Sequence, residues 1–262
     1  MFLRVWHPDG EPRAVVLCIH GLGAHSGLLK TPCEYFASAG FKVYAPDIRG
    51  FGHYNGTKGH VESIDEYVKD IDTLIDTIRE ENPDKKLFLW GHSFGGLLSV
   101  LYAHENQHRV DGMIIVSPGL SERLNVSPIV RALAKVLSAL NIKRPFPNGL
   151  DLDLISKNPA VVRRNKEDSL RYDFATARLA VEGLSSTERA RNAAPEIAIP
   201  ALVQQPDEDL IVVPEVTRQF YENLAAADKT YRSYEGLYHE PFEEEGGEQV
   251  LADAVEWIER HL

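Results

Sequence analysis

A chain of 262 residues suits one α/β domain carrying an insertion, and 44% hydrophobic residues can fill a sizeable core. The net charge of −11 excludes a nucleic-acid partner, whose phosphates would repel it. Two cysteines, Cys18 and Cys33, exclude a disulfide framework, and with neither a signal peptide nor an apolar run of transmembrane length in view the expected location is cytoplasmic.

Residues 14–20 (AVVLCIH) form a continuous apolar run, the pattern of a strand covered on both faces. His20-Gly21-Leu22-Gly23 follows, where glycine lets the backbone approach a ligand and aim an N–H into a site. A helix is predicted over 27–39, ended by Gly40, then a second covered strand over 41–46 leading into Asp47-Ile48-Arg49-Gly50-Phe51-Gly52-His53. A long amphipathic helix is predicted over 63–80, with Ile64, Tyr67, Val68, Ile71, Leu74, Ile75 and Ile78 on one face. After the strand and helix of residues 87–106 comes a strand over 110–116. No strand is predicted between 120 and 185. The alternation resumes with a strand over 199–204, a helix over 214–227, a strand over 229–234 and a terminal helix over 248–261. The expected fold is a mostly parallel, doubly wound sheet with right-handed crossovers. Residues 1–119 and 186–262 form its core, and 120–185 form a helical cap over the strand C-termini, where such folds bind ligands.

Residues 87–98 (LFLWGHSFGGLL) carry the chemistry. Gly91-His92-Ser93-Phe94-Gly95 is G-x-S-x-G in its strand–turn–helix context, a sharp turn that needs small neighbours around a strained serine. It thrusts the Ser93 hydroxyl above the sheet at a helix N-terminus, with the Phe94 N–H aimed where an oxyanion forms. Such a serine needs a histidine base, and the base needs an acid to fix its tautomer. The chain order expected is serine, acid, histidine. Beyond Asp209 stand His239 and His261. His261 reads as a solvated helix end, so His239 is the expected base. Asp207, Glu208 and Asp209 all lie within one loop's reach; Asp209 precedes the apolar Leu210-Ile211-Val212, so its side chain is the one expected to turn inward. The second oxyanion donor should come from the His20 loop, with the Leu22 N–H the best candidate. His20 reads as a brace of that loop, and Asp47 and Arg49 as supports of theirs. Scattered histidines give no zinc spacing, and neither Gly21-Leu22-Gly23 nor Gly50-Phe51-Gly52 completes a dinucleotide fingerprint, so neither metal nor cofactor is expected.

His20-Gly21-Leu22-Gly23-Ala24-His25-Ser26-Gly27, the Asp47–His53 loop, the Ser93 elbow and Tyr234-Glu235-Gly236-Leu237-Tyr238-His239-Glu240 together resemble the monoacylglycerol lipase and lysophospholipase branch of the α/β-hydrolases. The likeness runs over about residues 2–262. It implies a Ser–Asp–His triad at Ser93, Asp209 and His239, oxyanion donors at Leu22 and Phe94, and a helical cap over a hydrophobic acyl tunnel. It also implies hydrolysis of a monoacylglycerol to fatty acid and glycerol without a cofactor. Where the family has a His-Gly-x-x-Asp-like loop, this chain reads Gln205-Pro206-Asp207-Glu208-Asp209; the missing glycine keeps Asp207 open beside Asp209. The usual opening hairpin is expected to be clipped. Alternative readings are a lysophospholipase or general carboxylesterase, an aminopeptidase of the proline iminopeptidase type, and a non-catalytic receptor on the same fold. The cap separates the enzymes: an aminopeptidase needs acidic cap residues to hold an amine, a lipase an apolar tunnel.

Between residues 120 and 185 eleven basic residues, Arg123 among them, stand against seven acidic ones, Glu122 among them, which leaves −15 on the rest of the chain. Ile129, Val130, Leu133, Val136, Leu137 and Leu140 fall at helical spacing beside Arg131 and Lys135. Two readings follow. Either this helix packs its apolar face on the body, or Leu133, Val136 and Leu137 line the mouth of the substrate tunnel and rest on a membrane or micelle.

Overall fold

A computed structural model describes residues 1–121 and 127–262. Among them one sheet runs through the centre, in the strand order β1-β3-β2-β4-β5-β8-β9. These strands are β1 (Leu3–Trp6), β2 (Ala14–Ile19), β3 (Phe41–Pro46), β4 (Leu87–His92), β5 (Gly112–Val116), β8 (Ala201–Pro206) and β9 (Lys229–Tyr234). All neighbours pair in parallel except β1, which runs antiparallel to β3 along the edge. The opening of the chain is this one edge strand, paired with β3 and with no hairpin partner among the described residues. Its four residues are only partly buried or exposed, too short and too wet for an apolar run to announce it.

Alternation along the strands divides the core in two, since successive side chains point to opposite faces. Val15, Leu17 and Ile19 of β2 join one cluster with α2 (Asp65–Glu81), α3 (Phe94–Asn106) and Phe220 of α7 (Pro214–Asn223). Ala14, Val16 and Cys18 join the other, with Cys33 and Phe36 of α1 (Lys30–Ser38) and Trp257 of α8 (Glu248–Arg260). The predicted face of α2 is the buried one.

Between β5 and β8 lie α4 (Pro128–Ala139), β6 (Pro145–Pro147), α5 (Pro159–Glu167), β7 (Phe174–Thr176) and α6 (Ala177–Ala193). β6 and β7 pair antiparallel, a small ribbon where no strand is predicted. Two of the three residues of β6 are prolines, which propensity counts against a strand and which only an edge tolerates. α6 runs through Ser185 without a break, so one helix crosses the boundary expected between residues 185 and 186. Glu122 and Arg123 of the cap charge count lie outside the described residues.

The start of α3 fixes how closely the elbow meets β2. A Cβ on Gly95 falls 2.0 Å from the Ile19 carbonyl oxygen, whereas one on Gly183 of α6 meets nothing within 4 Å. Gly95→Ala is thus expected to cost about 3 kcal/mol or more, the cost of forcing atoms into a filled core. Gly183→Ala is expected to gain about 0.5–1 kcal/mol from helix propensity. Urea unfolding midpoints of the two variants check both signs.

Candidate active site

The sheet delivers three side chains to one point beyond its C-terminal edge. Ser93, between β4 and α3, has φ 54° and ψ −118°, a conformation that L-residues avoid. It is held by its backbone: its N–H donates to the Val116 carbonyl at 3.0 Å, and its carbonyl accepts from the Gly119 N–H at 2.8 Å. From there Ser93 Oγ lies 2.8 Å from His239 Nε2, and His239 Nδ1 lies 2.9 Å from Asp209 Oδ2. Asp209 is fully buried. Its other oxygen accepts the Ile211 N–H at 2.8 Å and the Val212 N–H at 3.0 Å. Burial raises its pKa, but His239 and these N–H donors outweigh that and hold it below the usual carboxylate range. A charged carboxylate there requires the His239 proton on Nδ1, leaving Nε2 to accept from the serine hydroxyl.

The His20 loop passes directly against the serine. A Cβ on Gly21 falls 3.3 Å from the Ser93 Cβ, so the residue is glycine, and Leu22 follows it. Phe94 opens α3, its ring met edge-on by Tyr67 at 5.6 Å. His20 braces the loop through both ring nitrogens: Nε2 accepts the Ile48 N–H at 3.0 Å, and Nδ1–H donates to the Gly21 carbonyl at 2.8 Å. Burial lowers its pKa to about 4, which keeps the ring neutral for that pair of bonds. Asp47 Oδ1 accepts from the Ser26 N–H and hydroxyl at 2.8 and 2.5 Å, while Oδ2 accepts the His53 N–H and ring N–H, each at 2.8 Å. Arg49 grips Asp70 with two N–H groups, at 2.9 and 2.7 Å.

A family model described as "Serine aminopeptidase, S33" matches residues 10–246. A monoacylglycerol lipase of Mycolicibacterium smegmatis is 34% identical over 262 residues, covering 98% of this chain and 92% of that protein. The crystal structure of a Paleococcus ferrophilus monoacylglycerol lipase superposes with a TM-score of 0.91 at 36% identity, over 100% of this chain and 99% of that one. An abhydrolase domain-containing protein of Dictyostelium discoideum is also 34% identical, but the chain spans only 28% of its length. The chain belongs to this α/β-hydrolase family, in its monoacylglycerol lipase branch.

Other candidate positions fall elsewhere. Asp207 lies at the exposed end of β8, where its carboxylate takes the Ser233 hydroxyl. His261 closes α8, with Nε2 3.0 Å from Asp228 Oδ2. On α4 the apolar face does not pack on the body: Leu133 and Val136 are each 55% exposed, and Ile129 is 81% exposed. Ser138 is the buried residue of that helix, with Ala134 and Leu137 partly covered. Small residues thus make the packed stripe, while the wide apolar stripe faces out. Leu133 and Val136 are thus solvent-facing, and Leu137 is partly covered.

One contributor was not foreseen. The His92 Nε2–H donates to the His239 carbonyl at 2.9 Å, and its ring stands 4.9 Å from the His239 ring and 5.1 Å from Phe242. The variable position of the elbow therefore ties β4 to the histidine loop. Its side chain's reach to residue 239 leaves no trace in local pattern. Burial, with the nearby His239, lowers its pKa to about 3.

His20 and His92 make folding stability acid-sensitive with a definite sign. Unfolded, each binds a proton near 6.5; folded, they resist until about 4 and about 3. The unfolded chain holds more protons in that interval, so stability falls as pH drops from about 6.5 to 4, by up to about 1.4 kcal/mol per pH unit for each histidine. The depressed carboxylates Asp47 and Asp209 lose their contribution mainly below 3.8. Urea midpoints measured from pH 7 to 4.5 should fall steadily, and His20→Asn should flatten the slope. A level midpoint for the native chain would contradict neutral buried rings.

Proposed function

We propose that the protein is a serine hydrolase that cleaves monoacylglycerols to fatty acid and glycerol through an acyl-enzyme. The observation that carries this reading is the relay of Ser93, His239 and Asp209 at 2.8 and 2.9 Å behind a strained serine. In the proposed reaction Ser93 Oγ attacks the ester carbonyl carbon while His239 Nε2 takes its proton and Asp209 steadies the imidazolium. The N–H groups of Leu22 and Phe94 hold the oxyanion. Collapse breaks the ester bond, and His239 returns the proton to the departing glycerol oxygen. A water then attacks the acyl-serine, giving its proton to His239, and release of the fatty acid restores the Ser93 hydroxyl.

The cap favours an ester over an amine. Four of its seven carboxylates, Asp153, Asp168, Asp173 and Glu182, already hold Lys166, His25, Arg171 and the Ile64 N–H. An aminopeptidase needs such groups unengaged at its mouth. Ser93→Ala is expected to lower kcat by about 10⁴-fold or more, and Asp209→Asn to cost far more than Asp207→Asn because a neutral amide favours the wrong His239 tautomer. Hydrolysis of a monoacylglycerol by purified variants measures this. Collapse at Asp207 instead of Asp209 would contradict the assignment.

Substrate delivery follows from α4. The outward Ile129, Val130, Leu133, Val136 and Leu140 lie on a helix that also carries Arg131 and Lys135. No described helix is long and apolar enough to cross a membrane; the lipid contact proposed here is a peripheral one through α4. With the cap basic and the rest of the chain at −15, an anionic surface attracts this face and repels the body. Hydrolysis of long-chain monoacylglycerol in anionic vesicles should therefore fall with added salt and with Leu133→Glu, while a short soluble ester is unaffected. Equal effects on both substrates would make the cap a lid only.

A further inference from the structure

One buried cation stands outside the proposed reaction. Arg171, between α5 and β7, has only 3% of its side chain exposed. A guanidinium taken out of water needs partners for its N–H groups, and its rigid planar fork fixes their directions. Its Nε donates to Asp173 Oδ1 at 2.9 Å and its Nη1 to Asn165 Oδ1 at 3.0 Å. These partners lead to two different loops of the core.

Through Asp173 the path reaches the oxyanion loop. The Tyr172 N–H donates to the Gly23 carbonyl at 2.9 Å, and a Cβ on Gly23 falls 3.1 Å from Asp173 Oδ1 and from the Tyr172 carbonyl. Gly23, at φ +77°, follows Leu22 directly. The same loop is held a second time by His25, whose Nε2 lies 3.0 Å from Asp168 Oδ2. Through Asn165 the path reaches the histidine loop. Asn165 is 1% exposed; its amide donates to the Val161 carbonyl at 3.1 Å and to Glu240 Oε2 at 3.4 Å. Glu240 follows His239 directly, and its own N–H donates to the Ile155 carbonyl at 2.8 Å. Burial pushes the Glu240 carboxyl upward and Arg171 pulls it back.

We propose that Arg171 is a positioning residue: it ties the Leu22–Gly23 loop and the His239–Glu240 loop to each other across the cap. The cap is then a structural part of the site and not only its cover. Two core loops that are far apart in sequence take their spacing from one side chain that touches neither nucleophile nor base. Displacing either loop by about 1 Å weakens proton transfer or oxyanion binding, losses that reach about 10²-fold in enzymes. Because both loops act on the reacting atoms and not on the acyl chain, the effect falls on kcat. This inference rests on the serine hydrolase reading above.

The test is a double-mutant cycle on the full chain with 4-nitrophenyl acetate, a short ester that needs no acyl tunnel. Arg171→Met is expected to lower kcat by about tenfold or more and Asn165→Ala by about threefold, each with KM within about twofold. If Arg171 acts through Asn165, the double variant is no slower than Arg171→Met alone. Arg171→Lys keeps the charge but not the fork; it should keep the native melting temperature and still lose at least about threefold in kcat, which serves if Arg171→Met does not fold. Native kcat in Arg171→Lys or Arg171→Met, or independent multiplying losses in the cycle, would overturn the proposal. Ser93→Ala runs beside them. If the native chain is no faster than Ser93→Ala, the hydrolase reading itself fails; if only the Arg171 variants behave as native, the positioning role alone fails.

Discussion

Everything in this molecule is arranged around one unfavourable backbone conformation. Ser93 at φ 54° costs energy in isolation, on the order of 1–3 kcal/mol, and persists only because its surroundings over-determine it. β4 delivers it from one side and α3 leaves on the other, while the Val116 carbonyl and the Gly119 N–H pin its two backbone groups. Gly21 and Gly95 clear the space through which β2 and its loop approach. The return is a hydroxyl held outside the sheet, where residues more than a hundred positions away can meet it. Without that strain the histidine loop would face an ordinary helix start.

The second requirement is that three ionisable groups, Asp209, His20 and His92, keep fixed protonation states while largely out of water. Asp209 stays charged because His239 and two backbone N–H groups compensate its burial. His20 and His92 stay neutral because burial penalises the imidazolium form; the neutral His20 ring can then accept from the Ile48 N–H while donating to the Gly21 carbonyl, and His92 donates to the His239 carbonyl. The burial that makes them acid-sensitive also places their ring nitrogens on fixed partners. The site therefore shares its electrostatics with the fold and is not a set of groups added to a finished scaffold.

Much of this was legible in the chain. A continuous apolar run announced β2, the strand–helix alternation announced β3, β4, β5, β8 and β9, and the glycine-punctuated elbow announced the position of Ser93. The order of loops after strands singled out His239, and the apolar residues after Asp209 favoured that carboxylate while the missing glycine before it left Asp207 open. The illegible parts share a physical cause. β1, β6 and β7 are three or four residues long, below the length at which alternation can be read. The exposure of α4 depends on which neighbour it leans on, and an apolar stripe looks the same whether it is covered or bare. His92, Asn165, Arg171 and Glu240 act across separations of 6 to 147 positions, and no local pattern records a hydrogen bond between distant loops.

In the proposed reaction Ser93 is made nucleophilic by His239 held on Asp209. The direct measurement is reaction of the native chain with a fluorophosphonate, followed by mass spectrometry of its peptides and by the rate of labelling. A single adduct on Ser93 is expected, formed quickly in the native chain and very slowly in His239→Ala. Adducts spread over several serines, or labelling of Ser93 at the native rate without His239, would contradict it.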